Sequence, residues 1–342
     1  MPLFYEDLKK SFVSFQCLCL SISAKVTDQI IIPGYQGGAL RGAFGKALKK
    51  IACPEKSPEE KQVCKNCILS SRCAYSYVFE TPPPNDAEML KKYPFIPHPY
   101  ILNPAINSLN TYNRGDVFNF GITLVGRAVD YLPFIIYAFI RMGETGNGNG
   151  IGKLKKEQGK KPQRGGFQIN KIHTLNAAGE ESGAIYDNQI LQQTDKTLCF
   201  DDAGLISSRY SSDQISLNFL TPLRIRYKNR LCDDPQFHIL IRNLLRRLSS
   251  LNYFHCNQKL ELPFKEIIEK AERIELVYNQ TKWHDWSRYS GRQKKSMKLG
   301  GITGMATYKG NLADFMPLLV LGSWVNIGKQ TGFGLGRYGL IF

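Results

Sequence analysis

The chain is short of acid: 29 of its 342 residues are Asp or Glu against 45 Lys or Arg, a formal net charge of +16 with histidine neutral. Such an excess favours a polyanionic partner, nucleic acid ahead of an anionic membrane surface. Long apolar runs are also missing. The most apolar stretch, Ile122 to Ile140, carries Arg127, Asp130 and Pro133, so it cannot supply the ~20 uninterrupted apolar residues of a membrane span. At the N-terminus, MPLFYEDLKKSF lacks a long apolar core behind a basic start, and no secretory signal is expected. Nor is there an even cysteine set: nine cysteines without an export signal argue against a disulfide framework and for a reducing compartment, the cytoplasm. What remains is a chain long enough for about two domains of roughly 150 residues each, with 43% apolar content to fill their cores.

The order of patterns repeats. Residues 116–129 are β-branched and apolar and read as a strand, DYLPFIIYAFIRMG reads as a helix with Pro133 in its first turn, and GETGNGNGIG, a basic run and GGFQINKI follow. Near the C-terminus GGITGMATYKG, DFMPLLVLGSWVNIG, GKQTGFGLG and GRYGLIF give strand, helix, loop and strand again, with Pro133 matched by Pro317. Proline is tolerated in a first helical turn because its missing N–H has no partner there. Both halves open alike, since residues 12–26 and 214–228 alternate as strands do and a helical period follows each. Leu40, Phe44, Leu48 and Ile51 share one face of the first such helix; Phe237, Ile241, Leu244, Leu248 and Leu251 share one face of the second, leaving Arg242 and Arg246 elsewhere. Segments 74–81 and 273–282 fill the remaining strand slots. The expected fold is therefore α+β: two tandem ferredoxin-like (RRM-like, βαββαβ) modules. The first covers 1–205, with a cysteine-rich insertion at 53–73 and a basic glycine-rich loop at 143–166; the second covers 206–342, with a glycine-rich loop at 328–336. Residues 174–203 serve as connector and extra hairpin.

Glycine accepts positive φ and lets backbone N–H groups approach a phosphate. The run Gly328, Lys329, Gln330, Gly332, Gly334, Gly336, Arg337 is read as contacting a nucleic-acid backbone, with a plain tight turn as the competing account. No nucleotide cofactor is expected. A dinucleotide site needs strand, glycines, then helix, and here helix precedes glycines; a P-loop needs Ser or Thr after the lysine, and Gln330 follows Lys329. The loop at 143–166 carries Lys153, Lys155, Lys156, Lys160, Lys161 and Arg164, either a solvated run or an electrostatic arm.

Residues 282–298, KWHDWSRYSGRQKKSMK, interleave Trp283, Trp286 and Tyr289 with Arg288, Arg292, Lys294 and Lys295. Bases stack on aromatic faces while adjacent cations neutralise phosphates, a combination suited to single-stranded RNA. A hairpin with core tryptophans and solvated charges is the bland alternative. Gly37 and Gly38 start the first helix near Arg41, Lys46, Lys49 and Lys50, where a phosphate or close helix packing would suit equally well. Cys53, Cys64, Cys67 and Cys73 are spaced C-x10-C-x2-C-x5-C, enough for a structural tetrahedral Zn²⁺ site ahead of an iron–sulfur cluster. Four thiolates would leave no open position, and no Asp and Glu cluster suggests a two-metal nuclease, so no catalytic metal is expected.

With GGALRGAFGKALKK, the four cysteines and YSYVFET, and then WHDWSRYSGRQKKSMKLGGITG and PLLVLGSWVNIGKQTGFGLGRYGL, the chain resembles the CRISPR-associated repeat-processing endoribonucleases of the RAMP superfamily, in the branch with a cysteine-bearing N-terminal module. The resemblance implies tandem ferredoxin-like modules, CRISPR repeat RNA as partner, and metal-independent cleavage of precursor RNA by the ribose 2′-hydroxyl. Such relatives often carry histidine where this chain has Lys46 and Asn326. Among its five histidines, His284 in the aromatic and basic block is the first candidate for acid or base, with Tyr289 and Lys46 as acid, base or charge stabiliser. His98, His238 and His255 read as structural and His173 as a weaker alternative. The competing reading is a non-catalytic guide-RNA-binding subunit of a CRISPR effector complex, and other subunits are expected partners in either case; a zinc-stabilised protein-interaction module would leave the charge unexplained.

Overall fold

The computed structural model describes residues 4–341 apart from 33, 54–63, 65–66, 85, 92, 94, 107, 146–148, 156–162, 188–189, 193 and 291–294. It divides into two compact units: Cys17–Thr197, here the N-terminal unit, and a C-terminal unit of Leu198–Phe342 together with Met1–Gln16. Residues 4–16 and 198–205 thus group with the second half.

In the N-terminal unit the strands Tyr100–Pro104, Val117–Val125, Gln16–Asp28 and Gln163–Leu175 lie side by side in that order, extended by Glu181–Asp187 and Ile190–Leu191. Neighbours run antiparallel, as in the register Ile22↔Phe120 on one side and Ile22↔Ile172 on the other. The helices Gly37–Ala52 and Leu132–Gly143 complete βαββαβ. Alternation along Gln16–Asp28 puts Leu18, Leu20, Ile22, Ala24 and Val26 in one core with Leu40, Phe44, Leu48 and Phe139. Phe44 meets Phe139 at 5.2 Å and Tyr100 at 5.5 Å between ring centroids, locking both helices to one face of the sheet. Each such fully buried side chain contributes about 1.5–3 kcal/mol.

The second strand is not where alternation put it. Residues 74–80 wind helically, with Ser76–Glu80 as a π-turn, because a helical path puts Tyr75 and Phe79 on one face, their rings stacked 5.4 Å apart. The strand slot goes instead to Tyr100–Pro104 at the sheet edge, where proline removes no ladder bond that an inner strand would need.

The C-terminal unit repeats the topology. Glu275–Asn279, Gly301–Lys309, Gln214–Leu223 and Tyr338–Ile341 form the sheet in that order, with the helices Phe237–His255 and Met316–Val325 between them. Its expected helix face is buried throughout at Phe237, Ile241, Leu244, Leu248 and Leu251. The leading segment is clasped here too: Asp314 accepts the Phe4 N–H at 3.1 Å and pairs with Lys270 at 3.0 Å, while Phe12 stacks on Phe200 at 5.7 Å. Among the described residues no helix is long and apolar enough to cross a membrane.

Candidate nucleic-acid interface

In the C-terminal unit, the first strand ends at Leu223 and the chain continues through Arg224. The glycine loop returns to this point. Arg224 and Gly328 form a parallel bridge, and the Lys329 N–H donates to the Arg224 carbonyl at 2.9 Å. Gly328 has φ +92°, and a Cβ there would stand 2.5 Å from the Arg224 carbonyl oxygen; Gly336, φ +73°, is pressed against the Ile327 carbonyl in the same way. Backbone packing therefore requires these two glycines, and the Gly336 N–H is spent on the Pro222 carbonyl at 3.1 Å. Thr221 fastens the far side, donating to the Gly334 carbonyl at 2.8 Å and accepting the Arg337 N–H at 2.9 Å. Gln330 takes left-handed backbone, φ +63°, at the start of the short 3₁₀ turn Thr331–Phe333, which includes Gly332.

The loop holds Lys329 among arginines. Burial lowers the Lys329 pKa first, and Arg226, Arg224 and Arg246 lower it further, so four cations share one neighbourhood. Among the described residues none of the four has an ion-pair partner within 4 Å; Asp285 acts on Arg224 at longer range. Crowding like charges raises the free energy of the empty site, and a polyanion relieves it. Sequence reasoning singled out Lys329 and missed Arg224 and Arg226. Their signal was the pair of arginines in LRIRY, directly after the strand.

The aromatic and basic block borders the same strand end. Lys282–His284 pairs with Gly301–Lys309 in the register Trp283↔Ile302 and His284↔Gly301. Gly301 is wedged against the Leu223 carbonyl, where a Cβ would stand at 2.7 Å, and the Arg224 guanidinium donates to the Gly300 carbonyl. His284 is thus separated from the cation cluster by one strand and is exposed. Trp283 is 40% exposed and its indole N–H donates to Asp285 at 2.8 Å, so it is no core residue; Trp286 is half-buried. Ser287–Ser290 and Lys295–Lys298 form a hairpin. Arg292 and Lys294 lie outside the described residues, as do the side chains of Arg288, Tyr289 and Lys295.

Below the loop, Arg247 is 8% exposed and its Nε donates to the Val325 carbonyl at 2.8 Å, at the C-terminal end of the Met316–Val325 helix. Burial pushes its guanidinium down to about 9. Asn326 is 1% exposed and donates to the Leu335 carbonyl at 3.2 Å; its side chain serves the turn.

The N-terminal unit uses its cations differently. Arg41 lies 4.4 Å from the Phe79 ring centroid and bonds His98 Nε2 at 3.1 Å. Since arginine only donates, that nitrogen accepts, and His98 Nδ1–H donates to Thr81 at 2.7 Å, which is the neutral tautomer. Tyr100 closes the stack 5.5 Å from His98, its hydroxyl pushed up to about 12 by burial against the offset of Arg41. Arg41, expected at RNA, is half-buried and holds these two contacts within its own unit. Lys46 is lowered by burial, then by Lys50 and Arg164, and Lys50 donates to Asn149 at 2.7 Å; a small basic cluster thus forms beside the 143–166 loop.

At the end of the first helix, burial and then Glu80, Cys73 and Cys53 push the Cys64 thiol up, opposed by Lys49. Cys53 and Cys73 are thus near Cys64, and the Cys67 N–H donates to the Cys64 carbonyl at 3.3 Å. The donors suit zinc in kind, although among the described residues no group of three or more His, Cys, Asp or Glu side chains is disposed to hold a metal ion.

The comparisons with known proteins follow the two units. Residues 15–198 match the AF_1859_N family, an N-terminal domain, and residues 217–338 match the family described as CRISPR-associated endoribonuclease Cas6. Among solved structures the chain is similar to a Cas6 product complex, with a TM-score of 0.56 at 14% identity over 95% of this chain and 99% of that one. Thermus thermophilus Cas6 gives 0.52 at 13% identity over 96% and 99%. A chain of a partial Cas6-RT-Cas1–Cas2 complex gives 0.55 at 14% identity, covering 96% of this chain and 46% of that one. At such identities the likeness speaks for the fold. Comparison with curated proteins finds no match.

Proposed function

We propose, from the premise that residues 217–338 belong to the family described as CRISPR-associated endoribonuclease Cas6, that this chain binds CRISPR repeat RNA and cuts precursor RNA without a catalytic metal. The observation that carries this reading is the cluster of Arg224, Arg226, Arg246 and Lys329, which lacks acid partners within 4 Å among the described residues and sits one strand from His284. Cations so placed neutralise phosphates and stabilise the charge that builds on a pentavalent phosphorane. In the proposed step a base takes the 2′-hydroxyl proton and O2′ bonds to phosphorus. The bond from phosphorus to O5′ breaks, and an acid protonates the leaving oxygen. The products are a 2′,3′-cyclic phosphate and a 5′-hydroxyl. His284 is the proposed acid or base, with Tyr289 and Lys46 as alternatives; a lowered lysine pKa, the direction found for Lys46, suits proton transfer nearer neutrality.

Structural zinc on Cys53, Cys64, Cys67 and Cys73 would tie the segment after the first helix together and offer no open position for chemistry. Purified protein should then carry about one zinc per chain by elemental analysis; protein free of both zinc and iron would remove the site. Cas6 in the neighbouring structures stands in a product complex and in a complex with RT, Cas1 and Cas2, and other CRISPR subunits are proposed partners here, in the cytoplasm. The internal role of Asn326 favours a second reading, a guide-RNA-binding subunit that does not cut. Labelled repeat RNA incubated with the protein in EDTA separates the two. Cutting that persists in EDTA and stops when the scissile nucleotide is 2′-deoxy supports the enzyme; cutting that EDTA stops, or that ignores the 2′-deoxy change, contradicts the mechanism, and tight binding without any cutting supports the subunit.

A further inference from the structure

Between the first strand of the C-terminal unit and the helix Phe237–His255 stands a small hairpin of which the proposed mechanism uses only the root, Arg226. Arg226 pairs with Leu231 and Tyr227 with Arg230 across a two-residue turn. Lys228 and Asn229 at its tip both have positive φ, +46° and +64°, the pattern of a type I′ turn, whose twist matches its strands. Lysine is an uncommon choice in left-handed backbone, so the tip keeps a cation where an uncharged residue would fit the turn more easily.

The hairpin is docked. Asn243, on the adjacent helix, accepts the Arg226 N–H at 3.3 Å and donates to the Arg226 carbonyl at 3.1 Å. The Cys232 N–H closes the base on the Ile225 carbonyl at 3.1 Å, and Tyr227 meets His238 edge-on at 5.3 Å. Arg226, Lys228 and Arg230 stand at least partly open to solvent, and among the described residues none has an ion-pair partner within 4 Å. Arg226 at the root is also a member of the Lys329 cluster.

We infer that this hairpin is a preorganised arm that grips the RNA sugar-phosphate backbone beyond the nucleotides at the glycine loop, with Lys228 and Arg230 as its phosphate contacts. The inference rests on the RNA reading above. A fixed arm gains affinity because its cations are ordered before the RNA arrives, and it recognises charge, not sequence. Its reach makes binding depend on RNA length.

The test uses the full chain, two RNAs sharing one cleavage-site sequence but differing in flanking length, and the double variant Lys228→Gln/Arg230→Gln. On the long RNA the variant should flatten the dependence of log affinity on log salt by about 1.4 units, the share of two cations that no longer neutralise single-strand phosphates; on the short RNA it should stay within about twofold of the wild type. A second variant, Asn243→Ala, keeps the charges and frees the arm; it should weaken long-RNA binding several-fold with the salt slope held, and unfolding curves report whether it remains folded. If the wild type binds RNA and Lys228→Gln/Arg230→Gln matches it in slope and length preference, the arm is wrong while the RNA reading stands. If Asn243→Ala alone behaves as wild type, preorganisation is wrong. A wild type that binds no RNA overturns the reading beneath both.

Discussion

The two halves of the molecule keep one backbone device and differ in what it carries. In the N-terminal unit Gly152, φ +86°, seats against the carbonyl of Ile31, where a Cβ would come within 2.6 Å; in the C-terminal unit Gly328, φ +92°, seats against the carbonyl of Arg224 at 2.5 Å. Ile31 and Arg224 both follow closely on the first strand of their units. One position holds an aliphatic side chain, the other a guanidinium beside Arg226, Arg246 and Lys329. The glycines thus belong to a frame that both units share, and the two units differ in the side chains hung on it. Arg41 makes the same point from the other side, a half-buried cation of the N-terminal unit that lies over Phe79 and bonds His98.

The comparison breaks most sharply at those glycines. Gly152→Ala and Gly328→Ala should each cost about 3 kcal/mol or more, a left-handed penalty added to a backbone clash, as measured by denaturant unfolding. Gly339, where a Cβ would meet nothing within 4 Å, is the internal control, and its alanine variant should stay within about 0.5 kcal/mol. If either framed glycine tolerates alanine, the shared device is not structural in that unit.

Much of the frame was legible because it is local and periodic. Gln214–Leu223 alternates, Phe237, Ile241, Leu244, Leu248 and Leu251 repeat at helical spacing, and both patterns are buried as expected. What escaped depends on distant partners. Residues 74–80 are as aromatic and β-branched as a strand, and stacking of Tyr75, Phe79, His98 and Tyr100 turned them helical. The alternation of 214–228 ran on through Arg224 and Arg226, yet the strand stops at Leu223 and a hairpin begins at Arg226. Lys329 could be picked from its glycines; the arginines of LRIRY were visible as a basic pair, but only a bridge between positions far apart in the chain, Arg224 to Gly328, brings them to it.

A milder change sharpens the chemistry on each unit. If His284 is the acid or base, His284→Ala should lower the cleavage rate about 100-fold at near-constant affinity, within the usual range for such catalysis. Lys46→Ala should then lose much less. The reverse ranking would move proton transfer to the N-terminal unit, where burial, then Lys50 and Arg164, already lower the Lys46 pKa.

The most direct measurement is the salt dependence of RNA binding by the full chain carrying Lys329→Ala/Arg246→Ala. With two fewer cations on single-strand phosphates, the slope of log affinity against log salt should flatten by about 1.4 units, and affinity should fall most at low salt. A slope equal to the wild type's would mean that these cations do not meet RNA phosphates and that the cluster at the end of the first strand is not the binding site.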